Sequence, residues 1–168
     1  VSSRSVRCAG DALDQSIIAF IKRKYNLLVG ERTAEQIKIE IGSACPQDPE
    51  TGMEIKGRNL VDGLPKDIMI RSDEVRDAMS DCLMRIVDAI KDTLESTPPE
   101  LSSDIIDRGI MLSGGGALLR GLDTLIRNET GIDVHIAESP LDCVALGAGA
   151  VLDNPALVTQ RREEMSYL

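Results

Sequence analysis

The chain has 168 residues, with 19 Lys and Arg against 28 Asp and Glu, so its formal charge is −9. A chain of that length buries about 70% of its unfolded surface, in one domain or in two small lobes sharing a core, and 42% hydrophobic with 28% charged residues excludes a disordered tail. The acidic balance excludes a general nucleic-acid binder and a polybasic lipid anchor, both of which need a basic face.

From the N-terminus, Val1 to Gly10 carries Arg4 and Arg7 but no apolar stretch behind them, so no signal peptide is expected. No run approaches the roughly 20 apolar residues of a membrane span. Ser5-Val6-Arg7-Cys8 reads as a short strand that stops at Gly10. Asp11 then reads as a helix cap, and Leu13, Ile17, Ile18, Ile21 and Tyr25 recur at helical spacing. Gly30 breaks the pattern. A second helix fits Thr33 to Ile41, with Ala34, Ile37 and Ile41 on one face and Gly42 as its stop. The strand-like pieces Met53–Lys56 and Asp67–Ile70, joined by the turn Asp62-Gly63-Leu64-Pro65, read as a small β-appendage outside the core.

Ser72 is the expected cap of the longest element, a helix to about Glu95 with Val75, Met79, Cys82, Leu83, Ile86, Ile90 and Leu94 in one stripe. Pro98-Pro99 ends it, and a short helical turn precedes Arg108. Strand Gly109–Leu112, helix Ala117–Glu129, strand Ile132–Ile136 and helix Leu141–Leu152 follow, a parallel βαβ arrangement in an α/β domain. The tail, Arg161 to Leu168, is charged and expected to fray. Cys8, Cys45, Cys82 and Cys143 form no C-x-x-C pair, so no zinc site is expected, and thiols spread in this way read as reduced core residues of a cytoplasmic protein.

Ser113-Gly114-Gly115-Gly116 is the sharpest chemical feature. Three glycines let a ligand approach bare backbone, and free amides at the start of the next helix favour an anion. No Gly-Lys-Ser/Thr follows, and Leu119 stands where a dinucleotide fingerprint needs a third glycine. The turn is therefore either a nucleotide or phosphate site or a tight strand-to-helix connection. Glu35 and Lys38, from composition alone, read as a solvated charged face. Asp11 and Asp14 are explained by helix capping. His135 reads as an ordinary edge residue. Gly147 and Gly149, each costing roughly 1 kcal/mol in a helix interior, are expected to press against another backbone or a ligand. No catalytic triad and no metal cluster is supportable.

Gly109 through Leu122, with its Ser113–Gly116 turn, resembles the second adenosine-binding motif of the superfamily of actin, DnaK-type chaperones and sugar kinases. Val144-Ala145-Leu146-Gly147-Ala148-Gly149-Ala150 resembles the small-residue helix that closes that fold. Within the superfamily, Ala9–Asp14, Gly30–Lys38, Thr97–Leu101 and Asp104–Gly109 are similar to MreB, the bacterial actin family of rod-shape determination. The likeness runs from about Arg4 to Asp153.

The resemblance implies an actin-like (ribonuclease H-like) α/β ATPase domain II. Residues 1–9 and 72–153 would form an incomplete larger subdomain IIA, 10–71 the smaller subdomain IIB, and 154–168 a charged tail. It implies that Gly114, Gly115, Gly116 and Leu118 back the adenosine and α-phosphate of ATP. Glu35 and Lys38 would line the opposite wall, near the ribose and adenine, with Gly10 and Asp11 at the cleft mouth. ATP with Mg²⁺ would be the cofactor of the complete protein. The first lobe and the glycine-rich phosphate loop of the family are missing, so the chain reads as part of a longer protein and is not expected to hydrolyse ATP alone.

The implied function is ATP-dependent polymerisation into filaments beneath the membrane that guide cell-wall synthesis. Protomers would meet through IIA–IIB contacts around Met53–Ile70, and the helix-turn-helix domain of a membrane-linked cell-shape protein would bind IIA. No nucleic acid and no direct membrane contact by this chain are implied, and the location is the cytoplasm, at the inner face of the membrane. Two rival readings are an ATP-dependent enzyme or chaperone of the same superfamily and a non-nucleotide interaction scaffold.

Overall fold

A computed structural model describes residues 2–154; the expected frayed tail, Arg161 to Leu168, lies outside the described residues. Helix α1 (Gly10–Tyr25) forms because Leu13, Ile17 and Ile21 repeat at helical spacing and all three are buried. It ends at Asn26, which adopts the left-handed conformation at φ 49°. Strand β1 (Leu27–Leu28) leads into α2 (Glu31–Ile41), which buries Ala34, Ile37 and Ile41. Gly42 does end α2, but for a steric reason: its backbone is extended, and a Cβ there would lie 2.3 Å from the Lys38 carbonyl oxygen.

Strands β2 (Gly52–Asn59) and β3 (Pro65–Arg71) form an antiparallel hairpin with Ile55 opposite Ile68, and β1 pairs antiparallel with β2. Pairing extends both strands beyond the expected pieces. The hairpin is no appendage, because Ile55 and Ile70 are buried in the core with Leu27 and Met79. Helix α3 (Ser72–Glu95) buries Val75, Met79, Cys82, Leu83 and Val87, while Ile86 and Ile90 pack at its margin. Helix α4 (Pro99–Arg108) is longer than the expected turn and buries nothing.

The second half is a parallel pair, β4 (Ile110–Leu112) with β5 (Val134–Ile136), bridged by α5 (Leu122–Thr130). The last described helix is α6 (Cys143–Asp153). The core is continuous through α1, α2, α3, the hairpin and α5, with Ile126 and Val134 closing it.

Several expectations need correction. Ser5–Cys8 is not a strand: no described strand lies beside it to take its hydrogen bonds, and Ser2 and Arg4 instead bond to Ser96 and Asp92 at the end of α3. Asp11 does not cap α1; it lies in the first turn after the N-cap, Ala9. Ser72 does not cap α3 either. It is the first helical residue, and its hydroxyl donates to Glu50 and accepts from the Thr51 N–H. The N-cap is Arg71, whose N–H donates to Glu74 at 2.8 Å.

The expected helix Ala117–Glu129 is split. A 3₁₀ turn, Gly115–Leu118, is followed by Gly121 at φ +72°, and α5 starts only at Leu122. Gly147 and Gly149 press on nothing: no described atom lies within 4 Å of a Cβ at either position, and α6 has no buried residue.

Candidate functional site

β4 delivers the chain into the glycine turn. Gly114 sits at φ +81°, a conformation that L side chains rarely adopt, and its N–H donates to the Pro140 carbonyl at 2.7 Å. Backbone geometry therefore accounts for this glycine. Gly115 and Gly116 are different. Among the described residues, a Cβ at Gly116 meets nothing within 4 Å, and one at Gly115 meets only Leu141 at 3.5 Å. Neither position has a positive φ, so the fold of this chain does not itself require glycine at either.

Both face a cavity of about 630 Å³, within the range of small-molecule sites. One wall is Gly115, Gly116 and Leu118 from the turn; the other is Gly10, Asp11 and Asp14 from α1 with Glu35 and Lys38 from α2. Seven of the eight residues singled out by the resemblance line this cavity, from segments as far apart in the chain as Gly10 and Leu118. Gly114 does not; it shapes the turn. Asp11 and Glu35 are exposed carboxylates at the cavity wall, and Leu118, Ile39 and Leu141 add exposed apolar surface beside them.

Lys38 is no member of a solvated face. Its Nζ lies 2.9 Å and 3.0 Å from the two carboxylate oxygens of Asp14 and donates to the Gly10 carbonyl at 3.3 Å, with both side chains largely buried. The capping explanation of Asp14 is thereby overturned: it sits in the second turn of α1, on the buried stripe with Ile17 and Ile21. That placement was the missed signal, since a carboxylate on an apolar stripe needs a cationic partner.

The free amides do not belong to a long helix, because the segment after Gly116 is the short 3₁₀ turn. Arg120 and Gly121 then cross to the end of α2. Ser43 bridges Arg120, the Ala44 N–H donates to the Arg120 carbonyl at 2.8 Å, and the Cys45 thiol donates to the Gly121 carbonyl at 3.3 Å. This crossing ties the two cavity walls together. Burial, followed by the charge of Asp123, pushes the Cys45 thiol up from its ordinary value. The thiol is thus held as a neutral donor and not as a nucleophile. His135 lies on β5, exposed and outside the cavity. The arrangement is built to bind: carboxylates and an ion pair on one side, bare backbone on the other, apolar edges between.

The family model described as MreB/Mbl protein matches residues 1–160. The chain belongs to the MreB/Mbl family. It is 49% identical over 162 residues to the cell shape-determining protein Mbl of Bacillus subtilis (strain 168), covering 96% of this chain and 49% of the relative. It is 51% identical over 153 residues to the cell shape-determining protein MreB of Escherichia coli (strain K12), covering 91% and 44%. Among solved structures, MreB5 of Spiroplasma citri bound to ADP superposes with a TM-score of 0.87 at 39% identity, over 90% of this chain and 46% of that one.

The chain therefore spans about half the length of the MreB and Mbl relatives it matches. Its fold is the α/β, actin-like fold expected from the sequence, and the family is one of cell shape-determining actin homologues.

Proposed function

We propose that this chain forms one side of an adenine-nucleotide site in an ATP-dependent, filament-forming MreB/Mbl protein. The carrying observation is the pair Gly115 and Gly116. The fold of the chain gives no reason for glycine at either position, and both open onto the cavity opposite Lys38. A ligand that touches bare backbone supplies the reason. The ADP held by the similar MreB5 structure supports the same reading.

The nucleotide would lie between the Gly115–Leu118 turn and the Glu35/Lys38 wall, with Gly10 and Asp11 at the mouth. The exposed apolar groups Ile39, Leu118 and Leu141 suit the faces of a purine. The Mg²⁺ of a bound nucleotide would belong to the complete protein, and we assign it to no residue of this chain. Hydrolysis is a property of the complete protein in this reading.

Residues 10–71 would be subdomain IIB, and 1–9 with 72–153 subdomain IIA. Self-association through IIA–IIB contacts is supported by apolar exposure on the hairpin at Val61, Leu64 and Met69. The inner face of the cytoplasmic membrane, cell-wall guidance and a helix-turn-helix partner on IIA complete the proposal, on the strength of the family alone.

Gly115→Asp tests it. The variant places a carboxylate where the nucleotide would lie and has room to fold. Titration with fluorescent ADP should show at least about a tenfold loss of affinity at an unchanged melting temperature, and ATP-dependent pelleting of the protein should fail. Unchanged binding and assembly would favour the scaffold reading.

A further inference from the structure

Two buried thiols lie outside the cavity lining, Cys8 and Cys82. Each is 6% exposed and both belong to the same core, where their side chains are in hydrogen-bond contact. They meet because of how the start of the chain lies on α3. The Ser2 hydroxyl donates to the Ser96 carbonyl and Arg4 pairs with Asp92, so the segment runs antiparallel to the helix. Extended backbone advances about 3.3 Å per residue, which carries the chain about 20 Å from Ser2 to Cys8. The helix rises about 1.5 Å per residue, so Cys82 lies about 21 Å back from Ser96. The two paths match, and Cys8 arrives beside Cys82. Among residues 2–9, Cys8 alone is buried; Ser3, Arg4, Ser5, Val6 and Arg7 are all exposed.

A segment held by one buried side chain and two surface contacts opens locally more readily than the core unfolds. While it is closed, burial, followed by the hydrogen bond and charge of Cys8, pushes the Cys82 thiol up to about 11. The thiol is then protonated and unreactive. Once the segment lifts, both thiols meet water, where a free thiol ionises at about 8.5. We propose that Cys8 and Cys82 are a redox-sensitive pair, which a small-molecule disulfide oxidises to an intrachain disulfide that latches the start of the chain onto α3. The Cys8 thiolate, carried out on the segment, attacks the S–S bond of the reagent; a mixed disulfide forms and one thiolate leaves. As the segment returns, the Cys82 thiolate attacks the Cys8 sulfur, the Cys8–Cys82 bond forms, and the second thiolate leaves. The two cysteines give up two electrons and two protons, and the reagent takes both as a pair of thiols. Ala9, the residue after Cys8, is the N-cap of α1 and lines the cavity beside Gly10. The latch therefore fixes the chain where it enters the cavity wall.

The test incubates the whole reduced chain with oxidised glutathione under native conditions, blocks the remaining thiols with iodoacetamide and maps the peptides by mass. The dominant cross-link should join Cys8 to Cys82. The oxidised chain should melt several degrees higher than the reduced one, the effect of closing a long loop, and dithiothreitol should reverse the rise. Cys8→Ala and Cys82→Ala, each compared with its own untreated form, should show no rise. Three results overturn the proposal: no Cys8–Cys82 peptide, glutathione left standing on Cys8 or Cys82, or a dominant cross-link through Cys45 or Cys143. The wild-type map alone decides this if either variant fails to fold.

Hydrogen exchange tests the latch itself. The Ala12 and Leu13 amides donate to the Ala9 carbonyl at the start of α1, so they report whether the chain beside Cys8 is held. Both should exchange several-fold more slowly in the oxidised chain, while the amides of α5 keep their rates. Equal rates for Ala12 and Leu13 in the two forms would show that the disulfide pins nothing, and would overturn the latch. Both measurements are made without nucleotide, so their outcome is separate from that of the nucleotide reading.

Discussion

Glu74 joins the start of α3 to the end of α1. Its carboxylate accepts from Lys24 at 2.6 Å, from the Tyr25 hydroxyl and, at 2.8 Å, from the Arg71 N–H. Burial works to raise the Glu74 carboxyl, yet the bonds from Lys24, Tyr25 and Arg71 outweigh it and hold the group below the ordinary carboxylate range. Tyr25 moves the opposite way. Burial first, then the hydrogen bond and charge of Glu74, push its phenol up from about 10 to about 12.

The two shifts give stability opposite pH limits. The Glu74 contribution is present above the ordinary carboxylate range and is lost as pH falls through its depressed value. The Tyr25 contribution is intact below about 10, the ordinary value, and declines as pH rises toward about 12. In melting curves recorded across pH, Tyr25→Phe should flatten the alkaline decline, and Glu74→Gln should flatten the acid one. A Tyr25→Phe chain that melts with the wild-type alkaline profile would show that this phenol carries none of the decline.

At the scale of elements, what the sequence discloses follows from how local each signal is. The stripes of α1 and α3 are legible because helical spacing is a property of neighbouring residues, and Ile17, Ile21, Val75 and Met79 are fully buried. The break inside the expected helix Ala117–Glu129 is not legible. It depends on Arg120 bonding to Ser43, 77 residues away, with Gly121 turning left-handed to allow it. Half the candidate site was legible in the same sense: the glycine turn is a local motif, whereas the Asp14–Lys38 pair is a meeting of two helices that no spacing encodes.

Helix α6 marks the opposite limit. Its composition is that of a core helix, yet Val144, Leu146 and Leu152 are 82%, 63% and 81% exposed, so sequence pattern overstates its burial among the described residues. Val144→Lys with Leu152→Lys should change the stability of this chain by no more than about 0.5 kcal/mol, as for surface positions. Light scattering at high protein concentration should fall, because an exposed apolar stripe of this kind drives association. A drop of several degrees in melting temperature would place these side chains in a packed interface.

For the whole molecule, the cavity lies between the α1–α2 layer and the β4–β5 layer, which the shared core and the crossing at Ser43 both join. The Ser43 side chain is buried; its single hydroxyl proton is shared between the Cys45 carbonyl at 2.7 Å and the Arg120 carbonyl at 3.2 Å, and its oxygen accepts from the Cys45 N–H at 3.3 Å. Gly121 completes the crossing, since a Cβ there would come within 3.1 Å of Cys45 as well as straining a backbone at φ +72°. Removing the hydroxyl takes the hydrogen-bond partner of the half-buried Cys45 backbone, while the Arg120 carbonyl keeps the Ala44 N–H, at a cost of about 1 kcal/mol. Ser43→Ala should therefore lower the melting temperature. It should also weaken adenine-nucleotide binding, although Ser43 is not among the residues lining the cavity, because the two walls then lose one of the hydrogen bonds that tie them, those from the Ala44 N–H and the Cys45 thiol remaining. Ser43→Thr keeps the hydroxyl and should restore more of the binding than of the stability, since its added methyl has to fit a packed site. If Ser43→Ala lowers stability and leaves nucleotide affinity untouched, the crossing is a fold contact and the walls are held apart by the shared core alone.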